Sequence, residues 1–268
     1  MKYFILFFIA VFIIATFKPR EVDAFDQQLI IKAQQAADKI SAKLTTNANQ
    51  KGSITFASNG QTWTEAGIQA AVDRRNNTKR MPAYTLTWQD SNGVYATASS
   101  MGLDWKHHFV NSYLVGIRPF AVKNHWLPLY TLAQIKTYQL DDEQYGARDL
   151  WQNSAQAFRL PRGDCEDHAI ALADWLISEG LDARVALGKY KTEGHAWVVV
   201  NKNNKTYLLE ATSKRSGKSW NHYPLAAISQ NYFPQYMFNR TDFWVNSTKQ
   251  KTTDYLGKHW KKTSTFSR

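Results

Sequence analysis

The 268-residue chain is 44% hydrophobic and 14% aromatic, with ten tryptophans; that is enough apolar surface for a packed core and too much for global disorder. Its formal net charge of +11 comes without a nucleic-acid-binding motif, so the excess reads as a solvated basic surface and no nucleic-acid partner is expected. A single cysteine excludes an intramolecular disulfide framework.

At the amino end, Lys2 precedes an apolar run of 15 residues, Tyr3 to Phe17. This is shorter than the roughly 20 residues of a membrane span. Val22 and Ala24 hold the small-residue positions before a cleavage point, which predicts a signal peptide over residues 1–24 and a periplasmic or secreted body. Lys18 and Arg20, just past the run, leave the alternative of an uncleaved membrane anchor over residues 3–17. Both readings put the body outside the cytoplasm, and without residues 1–24 it still carries 30 basic and 20 acidic side chains.

Residues 25–46 place Phe25, Leu29, Ala33, Ala36, Ala37, Ile40 and Leu44 at helical spacing, an amphipathic helix that packs on the body or forms a stalk. From Ser53 to Ser100 the strand-like runs SITFAS, AYTLTWQD and GVYATASS alternate with one helical segment over Trp63–Arg74. Residues 102–138 are apolar without a clear period. Asn76, Asn204, Asn239 and Asn246 head N-x-S/T triplets. With neither repeat nor linker in sight, residues 25–245 are expected to form a single domain. Residues 246–268 hold one acid, Asp254, among many Lys, and read as a basic, mobile tail able to touch an anionic surface.

The clearest grammar lies in residues 150–212. Pro161 and Gly163 signal a turn, and Asp164 is placed to cap a helix whose apolar face is Ala169, Ile170, Ala173, Leu176 and Ile177. Gly180 suits its C′ position. Cys165 thus falls on the first turn, where unpaired N–H groups and the helix dipole favour a thiolate. The same end favours Asp164, Glu166 and Asp167, whose charges oppose that thiolate. Next, ARVALGKY reads as a strand and KTEGHAWVVVNKNNKTYLLEAT as a hairpin. Pairing Asn201 with Asn204 puts His195 directly opposite Glu210, within imidazole–carboxylate reach, whereas a one-residue slip would separate them. Trp197 shares the strand face of His195. His168 is expected to pack beneath the site, and the adjacent His107 and His108 to point apart. A thiol, an imidazole and a carboxylate so placed have the logic of nucleophile, base and orienting group for acyl transfer through a thioester.

GDCEDHA, GHAWV and YLLEAT, in that order, resemble the core of the transglutaminase-like superfamily, and most of all the exported bacterial transglutaminase-like cysteine peptidases. The resemblance covers roughly residues 145–212 and implies an α+β, papain-like fold with the nucleophile helix packed on an antiparallel sheet. It makes Cys165 the nucleophile, His195 the base and Glu210 the third member, a position more often filled by Asp. In some relatives the acids flanking the cysteine bind calcium, which here points to Asp164 and Glu166; the chemistry itself needs no cofactor. The activity expected from these residues is a cysteine peptidase acting on a protein or peptide outside the cytoplasm. Transamidation or deamidation of glutamine by the same thiol remains open, as does a non-catalytic binding module that keeps the fold.

Overall fold

The computed structural model describes residues 23–43, 51–75, 85–91, 94–213, 224–248 and 251–268. The apolar run over 3–17, Leu44 and the Asn76 triplet lie outside them. In chain order the structure runs α1 (Ala24–Lys43), β1 (Ser53–Phe56), β2 (Thr62–Thr64), α2 (Glu65–Arg75), β3 (Leu86–Gln89), β4 (Tyr95–Gly102), β5 (His107–Phe109) and α3 (Leu127–Ile135). It continues with β6 (Thr137–Tyr138), α4 (Asp141–Tyr145), β7 (Leu150–Trp151), α5 (Ser154–Arg159), β8 (Arg162–Gly163) and α6 (Cys165–Ser178). The strands β9 (Asp182–Tyr190), β10 (Glu193–Lys202), β11 (Lys205–Leu209), β12 (Tyr232–Phe238), β13 (Asp242–Asn246) and β14 (Trp260–Ser267) complete it.

The architecture is α+β, as expected. An eight-stranded sheet in the order β11-β10-β9-β12-β13-β14-β1-β2, antiparallel throughout, carries α6 on one face. Alternation along the strands builds the two layers. Val185, Ala196, Val198, Val200 and Leu209 face α6, while Ala186, Trp197, Val199 and Leu208 face a second cluster that includes Tyr255 and Trp260. Burial of α6 goes well beyond the expected apolar stripe, because Leu172, Asp174 and Trp175 on its other sides are also fully enclosed. The helix is therefore the axis of the core. Its end is a Schellman motif: Leu181 N–H reaches the Leu176 carbonyl at 3.1 Å and Gly180 N–H the Ile177 carbonyl at 2.9 Å, with Gly180 at φ +84°.

The amino-terminal helix packs on the body, with Leu29, Ala33 and Ala36 buried and Tyr130 of α3 donating to Asp26 at 2.7 Å. Two expectations fail. The carboxyl-terminal residues do not form a mobile tail: β14 lies between β13 and β1, pairing Ser53 with Ser267, and buries Ser264 and Phe266. Alternation of buried Ser264 and Phe266 with Thr265 and Ser267 is a short strand signal, broken at Thr263 by an irregularity in the pairing with β13. The β10–β11 register also differs from the expected one by two residues. Lys202 pairs with Lys205 and Asn201 with Thr206. Asn203 and Asn204, at φ +52° and +57°, form the two-residue turn, a left-handed pair that asparagine tolerates.

Candidate active site

Two short parallel strands deliver the cysteine. β6 pairs with β8, Tyr138 against Gly163, and the chain then turns into α6 at Asp164. Asp164 holds the N-cap position in extended conformation, but its side chain makes no capping hydrogen bond, which corrects the expected role. Cys165 follows, half-buried, on the first turn. Its thiol donates to Glu166 Oε2 at 3.2 Å. Burial and then the charge of Asp164 push the thiol pKa up to about 12, against the backbone of Ala196 and the Glu166 carboxyl, which pull it down. The thiol in this structure is turned to the Glu166 carboxyl, not to the imidazole.

His195 comes from β10, and β11 ends at Leu209 opposite Val198, so the β10 edge before Val198 has no β11 partner. The two-residue register difference preserves side-chain parity, since the strand period is two. His195 and Glu210 are thus diagonal neighbours, about 7–8 Å apart at the backbone in such a pair, and the longer carboxylate closes the distance. His195 Nε2–H donates to Glu210 Oε2 at 2.8 Å. Oε1 accepts from Thr212 N–H at 3.2 Å and from its hydroxyl at 2.8 Å, and the Tyr232 hydroxyl donates to Oε2 at 3.0 Å. Burial raises the Glu210 pKa, but the His195 hydrogen bond and charge and the two Thr212 donors outweigh it and hold the carboxyl below its ordinary value. Trp197 stacks on the imidazole at 6.1 Å and 22°. Neither Thr212 nor Tyr232 was legible in the sequence; a hydroxyl two residues after the carboxylate is the one local signal.

Cys165 and His195 line one cavity of about 520 Å³ with Asp164, Glu166, Trp151 and Tyr138, and Gln235 from β12 joins the rim. The structure therefore brings all five expected residues to one place, Glu210 through its bond to His195. His168 is fully buried below, its Nδ1 3.4 Å from the Ala211 carbonyl and its ring edge-on to Tyr138.

The expected metal pair, Asp164 and Glu166, lies within a larger set. Asp164, Cys165 and Glu166 offer ligand atoms within 4.8 Å of one another, and so do Asp141, Asp164 and Asp167. Asp141 Oδ1, Asp164 Oδ1, Glu166 Oε1 and Asp167 Oδ2 are buried without a hydrogen-bond partner. Burial first, and mutual repulsion next, push Asp141 up to about 8 and Asp167 and Glu166 well above the usual carboxylate range. Unsatisfied buried carboxyl oxygens of this kind fit a hard cation such as calcium. The three aspartates suit it better than a set containing the thiol.

A family model described as the CEP76 peptidase-like domain matches residues 149–267, a span that contains Cys165, His195 and Glu210. Human Protein CC2D2B is 29% identical over 113 residues, 41% of this chain and 7% of that protein, so the chain spans a small part of the relative it matches. Among solved structures, EGTA-treated Legionella pneumophila LapG is similar at 19% identity and a TM-score of 0.39, over 55% of this chain and 80% of LapG. Its calcium-bound form is similar at 18% identity and a TM-score of 0.37, over 55% and 81%. Among the described residues no helix is long and apolar enough to cross a membrane.

Proposed function

We propose that the chain is a cysteine peptidase that cleaves a protein or peptide outside the cytoplasm through a thioester on Cys165. One observation carries the reading: a thiol and an imidazole line a single cavity, and the imidazole is held by a carboxylate at 2.8 Å. With Nε2–H given to Glu210, the base is Nδ1 of His195. The thiol must leave Glu166 and pass its proton to Nδ1. Sγ then attacks the scissile carbonyl, the imidazolium returns the proton to the leaving amine, and the thioester is hydrolysed by a water that His195 deprotonates. Glu210 keeps the tautomer throughout. Asp141, Asp164 and Asp167 would hold calcium, whose charge would offset that of Asp164, which with burial pushes the thiol pKa up. The peptidase-like match over residues 149–267 favours water over an amine as acyl acceptor.

The test is the rate of Cys165 alkylation by iodoacetamide across pH 4–10, with calcium and with EGTA, in wild type and His195→Ala. A fast plateau below the free-thiol pKa of about 8.5, lost in the variant, is expected. An ordinary thiol titration unaltered by the variant would leave a binding module as the better reading. Fragment masses from a casein digest, absent with Cys165→Ala, would separate cleavage from deamidation.

A further inference from the structure

The carboxylate that orients His195 is not fixed by its own backbone. Glu210 lies one residue beyond β11, where strand pairing has stopped, and its two oxygens are secured from outside. Thr212 takes Oε1 with two donors. Oε2 is shared between His195 Nε2–H and the hydroxyl of Tyr232, from a strand two places away in the order β10-β9-β12. The β9 residues opposite His195 and Trp197 are Gly188 and Ala186, and the missing side chain at Gly188 lets the Phe233–Pro234 backbone of β12 approach closely, just after Tyr232. The Tyr232 ring packs at 5.2 Å on Trp197, at 4.8 Å on Tyr190 and 6.3 Å from the imidazole.

We infer that Tyr232 is a positioning residue, whose hydroxyl holds the Glu210 carboxylate and through it the Nε2–H tautomer of His195. The inference rests on the reading of Cys165, His195 and Glu210 as the reacting set. Its physical basis is that two donors share one oxygen. The Tyr232 hydroxyl favours the ionised carboxylate and fixes Oε2 where it accepts from Nε2–H, which leaves the lone pair on Nδ1. It also confines the carboxylate to one rotamer across a diagonal pair where a flexible Glu would otherwise wander. Burial and the neighbouring Glu210 charge both keep the Tyr232 hydroxyl protonated, as a donor must be. Were Tyr232 there only to fill the aromatic cluster, phenylalanine would serve equally well.

The experiment uses the full chain labelled with 15N-histidine, in wild type, Tyr232→Phe, Glu210→Gln and the double variant. Long-range proton–nitrogen correlation reads the His195 tautomer, and iodoacetamide alkylation at pH 7 reads Cys165. Tyr232→Phe is expected to keep the thermal midpoint within a few degrees, mix the two imidazole tautomers and slow alkylation about tenfold, equivalent to ~1.4 kcal/mol. In the Glu210→Gln background it should add less than twofold, because the hydroxyl acts through the carboxylate. An unaltered tautomer in Tyr232→Phe, or an effect that adds in full to Glu210→Gln, would overturn the inference. The tautomer is read whether or not the thiol reacts. An inert Cys165 with a tautomer that still shifts in Tyr232→Phe would sink the peptidase reading and uphold the role of Tyr232.

Discussion

The two-residue hairpin shift explains why a glutamate, Glu210, reaches His195. Had His195 and Glu210 faced each other directly, an aspartate would have sufficed; across the diagonal it would not. Glu210→Asp is therefore expected to lower turnover of any processed substrate at least tenfold while leaving thermal stability within about 1 kcal/mol, measured by kcat and by melting. The buried aspartates give a second expectation. Calcium at about 100 times its Kd should add about 2.7 kcal/mol to stability, and Asp141→Asn should remove most of that gain in melts with calcium against EGTA. The thiol's place at a helix start could be read locally, because caps and glycine stops are written within a few residues of one another. Asp141 could not: it lies more than twenty residues before Cys165 and reaches the cluster only because β6 and β8 pair.

Helix α6 owes its stability to being wrapped. Trp175 is fully buried, edge-on to Phe120 at 4.7 Å and Phe158 at 5.7 Å, and donates its indole N–H to the Phe120 carbonyl at 3.2 Å. Trp175→Ala should cost about 3–5 kcal/mol in denaturant unfolding. The joint between α2 and β5 adds an ion pair to the apolar packing of Ile68 and Phe109. His108 lies 3.4 Å from Glu65 and 3.0 Å from Asp104; burial opposes its charge, but the two carboxylates outweigh it and push its pKa up to about 9. Its pKa is raised on folding, so the stabilisation is complete below the unfolded value of about 6.5 and is lost as pH rises through about 9. The loss is about 2 kcal/mol once screening at half-exposed Asp104 is allowed for. His108→Gln should flatten thermal midpoints between pH 6.5 and 9.5 relative to wild type. Helices and strands with a clean period, such as α6 and β9, were legible in the sequence. The hairpin register was not, because four residues rich in asparagine offer more than one two-residue turn.

At the scale of the whole molecule, β14 joins the two parts of the large sheet, β11 to β13 on one side and β1 with β2 on the other. Removal of residues 258–268 is expected to abolish the cooperative thermal transition seen by circular dichroism, whereas loss of a solvated tail would leave the midpoint unchanged. Periodicity could not reveal this placement, since the partners of β14 include β1, more than two hundred residues away, and an irregularity at Thr263 breaks its alternation. The Asp174 carboxylate binds distant parts together in the same way, accepting from Gly116 and Ile117 N–H at 2.8 Å and from Arg240 at 2.6 Å. The position of β14 also sets a timetable. During synthesis at about 5–20 residues per second, β1 must wait ten seconds or longer for its neighbour. Until β14 has left the ribosome, the β1 edge that it covers is bare. The nascent chain is thus exposed to mispairing at β1 throughout that interval, and a chaperone that shields strand edges would act on it before any that shields the finished core.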